Sequence, residues 1–172
     1  MTSRAVPFTL LVAVIGFIGA ANAPSWAEEG NPATLAAAMK NATATLQSGL
    51  KASEAQGTPI SAKFEIEDGK LQLSVYTMKG NDFMEVVADP NTGVIAKAEK
   101  ITDADDLKEA TEQKAAMAKA KVPLLNATET AVTANAGSRA VSIVPELKNG
   151  QATAEVTLLQ GTTLKKVTEK LD

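Results

Sequence analysis

Carboxylates are the side chains that this sequence offers for chemistry, and two groupings of them invite a test: Asp103-Ala104-Asp105-Asp106, and Glu65 with Glu67. The first has the oxygen-rich look of a calcium loop. An EF-hand, however, needs oxygen ligands at alternate positions, glycine at the sixth and glutamate at the twelfth. Counted from Asp103, Leu107 and Lys108 stand fifth and sixth and Lys114 twelfth. The run therefore reads as the capped, acidic start of a helix. Glu65 and Glu67 are two apart, which on a strand puts them on one outward face. Acid–base work would need burial to raise one pKa, and flanking Lys63 on an outward face supplies no such environment.

The rest of the catalytic repertoire is missing by composition. Among 172 residues there is no His and no Cys. That excludes Ser-His and Cys-His nucleophiles, thiolate redox centres and ordinary zinc, copper or haem sites. The expectation is a protein that is not an enzyme and carries no cofactor or metal. A net charge of −3 lacks the Lys/Arg surplus that nucleic acid requires as a partner. Lys108, Lys114, Lys119 and Lys121 alternate with Glu109 and Glu112 at helical spacing, as on a solvated face. Asn41-Ala42-Thr43 and Asn126-Ala127-Thr128 match the glycosylation sequon but read as helix starts or surfaces.

The elements that would position these residues begin after an export signal. Arg4 is followed by the apolar run Val6–Ala21, shorter than the roughly 20 residues of a spanning helix, and by small residues at Ser25-Trp26-Ala27. Residues 1–27 read as a signal peptide cleaved before Glu28, leaving no membrane anchor. No Cys follows to carry a lipid. The compartment implied is the periplasm, or the exterior.

Asn31-Pro32 then opens a helix whose Leu35, Met39, Leu46 and Leu50 form one stripe, ended by Gly57. Residues 58–101 read as a four-stranded antiparallel meander with turns at Asp68-Gly69, Lys79–Asp82 and Asp89-Pro90-Asn91-Thr92-Gly93. The pattern restarts with a helix at Asp103 and another capped by Asn126. Strands follow at 140–147, 152–159 and 164–171. Glycines at 57, 69 and 80 are matched by glycines at 137, 150 and 161, spaced 12 and 11 against 13 and 11. The expected fold class is α+β, two repeats of helices packed on a small antiparallel sheet, over 28–101 and 102–172. The extra residue falls on the segment containing Pro145, which suggests a bulge or an edge there.

Two stretches carry a family resemblance. Gly57-Thr58-Pro59-Ile60-Ser61-Ala62-Lys63-Phe64-Glu65-Ile66-Glu67-Asp68-Gly69-Lys70 and Met84-Glu85-Val86-Val87-Ala88-Asp89-Pro90-Asn91-Thr92-Gly93-Val94-Ile95 resemble the PepSY domain, a helix and strands joined by a DG-type turn with a strand ending in D-x-x-T-G. Ala120–Leu124 through Gly137–Val141 is similar to a second copy. That copy departs from the pattern at Lys170-Leu171-Asp172, where the T-G turn and final strand would begin. The resemblance implies a small exported protein of binding or inhibitory type, as in propeptides that restrain thermolysin-type metallopeptidases, with no catalytic residue to carry over. The alternative is a structural or envelope-stress protein without a dedicated enzyme partner.

One cluster stands out. Strand alternation puts Tyr76, Met78, Phe83 and Val87 on the sheet face opposite Leu73, Val75 and Val86. Leaving them in water would expose much of a scarce aromatic area, so either the second repeat or a partner, such as an exported peptidase, should cover them.

Overall fold

A computed structural model describes residues 31–172; the expected signal peptide, 1–27, lies outside the described residues. The elements run α1 (Pro32–Met39), α2 (Leu46–Ser53), β1 (Thr58–Glu67), β2 (Lys70–Lys79), β3 (Asp82–Ala88) and β4 (Ile95–Lys100). There follow α3 (Ala104–Met117), α4 (Leu124–Ala134), β5 (Arg139–Lys148), β6 (Gln151–Gln160) and β7 (Thr163–Lys170). The fold is α+β. All strands join one antiparallel sheet in the order β4-β3-β2-β1-β5-β6-β7.

Turn chemistry sets the hairpins. Asp68-Gly69 and Asn149-Gly150 each hold two consecutive residues at positive φ (48° and 74°, 52° and 82°). That is the I′ geometry, whose twist matches the flanking strands. Glu67↔Lys70 and Lys148↔Gln151 pair directly across these turns.

The helices differ from the expectation. The single stripe from Leu35 to Leu50 is two helices, although all four of its large residues are buried. Residues 40–45 leave the helix because this segment bonds elsewhere: the Ala44 backbone N–H donates to Pro90 O (3.0 Å) and the Thr43 side-chain hydroxyl to Asn91 O. Thr45 and Ser48 then form a capping box that restarts the helix. Gly49 lets α2 settle on β2, since a Cβ there would lie 2.5 Å from Leu73 Cδ2. Asn31 and Asp103 cap as expected. Asn126 does not: α4 starts at Leu124 after Pro123, and Asn126 lies exposed in its first turn. Asn41 lies in the α1–α2 connection.

The extra residue of the second half lies elsewhere than on the strand of Pro145, although that strand does carry a bulge. β1 and β5 are both ten residues long, so the extra residue is Ser138, between Gly137 and β5. Pro145 pairs with Ala154 without a register shift, in a central strand. The bulge of β5 lies at Val141, matching one at Ile60 in β1. Pro145 is tolerated where β5 has run past its short pairing with β1.

Helices α1, α2 and α4 pack on one sheet face, around Leu46, Leu50, Leu73, Val75, Ile143, Val156 and Leu158. Helix α3 crosses the other face over β1, β5 and β6. Among the described residues no helix is long and apolar enough to cross a membrane.

Candidate functional site

Helix α3 determines what becomes of the aromatic face. Tyr76 and Phe83 are 9% and 7% exposed, packed with Ile60, Ile101 and Ala110, with Leu107 and Met117 against them. Lys114 Nζ stands 5.8 Å from the Phe83 ring centroid and donates to Gly80 O and Asn81 Oδ1, both at 2.9 Å. Its aliphatic stem and charge thus extend the cover over the ring. Met78, opposite Phe83 in the ladder, touches this cluster but stays partly exposed. Val87 shares the face yet pairs with Ser74, farther along, and is half-buried outside the cluster. The structure therefore unites Tyr76, Met78 and Phe83 and leaves Val87 apart.

Beyond the aromatics this face turns polar. Lys63 Nζ pairs with Glu65 Oε2 at 2.6 Å, and Gln72 Nε2 donates to Glu67 Oε2 (2.6 Å), Glu65 Oε1 and Ser74 Oγ (both 3.2 Å). Glu65 is half-buried rather than outward in water. Burial alone would raise its carboxyl, but the Lys63 charge and the hydrogen bonds from Lys63, Ser74 and Gln72 hold it below the ordinary range. Glu85 goes the other way, pushed up by burial and by Glu65 and Glu67, against a hydrogen bond from Ser74. Burial, then Asp103, raises Asp106 against its hydrogen bond with Tyr76. The Tyr76 phenol is itself raised by burial and by the charges of Asp106 and Glu85. The expected lysine–glutamate solvated face is also corrected, because Glu109 is buried against the sheet.

Besides a hollow of about 390 Å³ between α3 and β5, lined by Glu109, Gln113 and Val144 among others, two concavities border this region. The larger, about 940 Å³, is a groove where α2, the ends of β1 and β2 and the α3–α4 connection meet. Leu50, Met78, Met117 and Leu125 form its apolar floor, with Lys79, Lys114 and Lys121 among its lining residues. Glu54, its acidic member, is paired with Lys51 at 2.8 Å. The smaller, about 140 Å³, follows the seam between β1 and β5, which pair only at Ala62↔Ile143 and Lys63↔Ser142. Sequence reasoning reached Met78 but not Lys79, Gln113 or Ser142. These lie far apart in the chain, and no local pattern signals that tertiary packing will join them.

No family model matches this chain, and no curated protein matches it. Among solved structures it is similar to a candidate lipoprotein of Clostridium difficile 630, at 16% identity and a TM-score of 0.38, over 66% of this chain and 75% of that one.

Proposed function

We propose that this protein is an exported, non-enzymatic binding module of two PepSY-like repeats, acting in the periplasm or outside the cell. Its partner is an exported peptidase or another envelope protein, which it restrains by occupying part of its surface. The observation that carries this reading is the groove beside Met78. Two partly exposed methionines, Met78 and Met117, give it an adaptable apolar floor. The lysines at Lys79, Lys114 and Lys121 make it locally basic on a chain of net charge −3, which favours an acidic segment of the partner. The PepSY-like sequence pattern and the export signal are consistent with such a role.

The test is a pull-down from periplasmic extract with wild-type protein and with the double variant Met78→Glu/Lys121→Glu. Retention of a peptidase or other envelope protein by the wild type alone, with both proteins melting at the same temperature, is the expected result. Equal retention by both would sink the groove as the binding surface.

A further inference from the structure

We propose that the seam cavity between β1 and β5 is a binding site for a single neutral ring bearing a hydroxyl, the phenol class of ligand. This goes beyond the groove reading and does not depend on it.

The cavity arises from how the two hairpin stacks meet. β1 and β5 are each ten residues long, yet only two residue pairs join them. Bulges at Ile60 and Val141 twist both strands beside that short pairing. Away from it the strands separate, and Phe64, Val141 and Val144 wall the gap, with Leu35 of α1 and Gln113 of α3 also lining it. The walls are mainly apolar. The volume, about 140 Å³, is close to the roughly 150 Å³ of an apolar cavity that takes up benzene.

Five of the seven polar side chains on the lining already have a partner, Ser61 and Gln113 being the others. Lys63 and Glu65 neutralise each other, Ser74 accepts from Gln72, Ser142 Oγ donates to Thr157 Oγ1 at 3.1 Å, and the Tyr76 hydroxyl bonds Asp106. Gln113 is different. It is only 4% exposed, and its Oε1 is buried with no hydrogen-bond partner. A buried amide oxygen left this way is costly, and a guest that donates one hydrogen bond removes the cost. A ring-sized space of mainly apolar surface, with an unmet acceptor at Gln113 and a hydroxyl at Ser61, selects a ring that carries a hydroxyl. A hydrocarbon leaves the oxygen unmet, and a charged guest loses its hydration without an opposite charge to meet it.

Isothermal titration of the exported chain with phenol and with toluene tests this without any variant. Phenol should bind saturably and about tenfold more tightly than toluene, the difference one hydrogen bond makes. Gln113→Leu should reverse that order, and ¹³C-methyl shifts on phenol addition should centre on Val141 and Val144. N-acetyl-tyrosinamide distinguishes the source of the ring: binding admits a tyrosine side chain of a partner, while binding of phenol alone points to a free small molecule. If phenol shows no saturable binding, the cavity holds only water and the proposal fails. It fails equally if toluene matches phenol on the wild-type chain. Either failure leaves the groove reading to its own pull-down.

Discussion

The two halves of the sheet, residues 31–101 and 102–172, share the plan of their first three strands, with β4 in the first half alone, and use different helices. β1 and β5 each bulge at their third residue, and each passes through an I′ turn into another ten-residue strand. Gly80 and Gly161, both at positive φ, then open the next hairpin. In each half the chain after the third strand ties down the helix–helix connection. Pro90 O accepts from the Ala44 N–H in the first, and Leu171 O from the Val122 N–H (2.9 Å) in the second.

The first helices part company. α1 has 8 residues and stays with α2 and α4, whereas α3 has 14 and crosses to the opposite face. Sequence position explains what it finds there. Tyr76 and Thr157 are both seventh in their strands, and Phe83 and Leu164 both second in theirs. The first half offers α3 large rings, while the second offers a small hydroxyl at Thr157; the half-buried Leu164 packs instead against the core under α1, α2 and α4. Similar strands thus carry unequal surfaces, and α3, which lies over β1, β5 and β6, reaches the rings of the first half through Leu107, Ala110 and Met117.

The strongest test of this asymmetry is Phe83→Ser against Leu164→Ser. Losing the buried ring should lower unfolding free energy by about 3–5 kcal/mol, and the half-covered leucine by about 1–2 kcal/mol, both read by urea denaturation. Equal losses would mean that α3 does not create the difference. Next comes the clamp between the halves. Arg139 at the start of β5 donates to Met39 O and Ala44 O, both at 3.0 Å, so Arg139→Ala should cost about 2 kcal/mol. Arg139→Lys should recover less than half, because an ammonium cannot span both carbonyls as the planar guanidinium does.

The helix caps should differ more modestly. Asp103 Oδ1 accepts from the N–H groups of Asp105 and Asp106 and begins the helix over the aromatics. Asp103→Ala should cost about 1 kcal/mol, and Asn31→Ala about 0.5 kcal/mol, because the exposed first turn of α1 can fray. Thermal melts of the two variants check the order.

The smallest effect is a pH dependence on the first half's polar surface. Glu85 is raised above its ordinary 4.5 in the folded state, so its contribution is present below that pH and lost as pH rises through the folded value. Glu65 is lowered, so its contribution is present above 4.5 and lost as pH falls through its folded value. Glu85→Gln should therefore stabilise at neutral pH, with a benefit that vanishes in acid. Glu65→Gln should destabilise at neutral pH. Stability profiles of the same sign for both variants would contradict these environments.

How legible all this was depended on the range of the interaction. The hairpins could be read because Asp68-Gly69 and Asn149-Gly150 need positive φ wherever they stand, and alternation in Ile60–Ile66 or Leu71–Val75 marks a buried face without reference to the rest of the chain. The break between α1 and α2 was only half legible. Thr45 and Ser48 form a local capping box, but the pull on residues 43 and 44 comes from a turn nearly fifty residues away. The extra residue expected on the strand containing Pro145 is Ser138, just before that strand, because glycine spacing counts residues without saying which of them the ladder includes.

What the amino-acid sequence determined by itself was the strand plan, the turn types, the caps at Asn31 and Asp103 and the absence of imidazole and thiol chemistry, since each depends on residues within a few positions of one another or on composition alone. Tertiary structure alone decided that α3 covers Tyr76 and Phe83 and that β1 meets β5 over two residue pairs. It also decided that Gln113 is buried beside the resulting gap and that Met78 floors a groove among lysines. Those outcomes depend on which apolar surfaces remain uncovered once the hairpins exist, and that competition is settled between segments far apart in the chain.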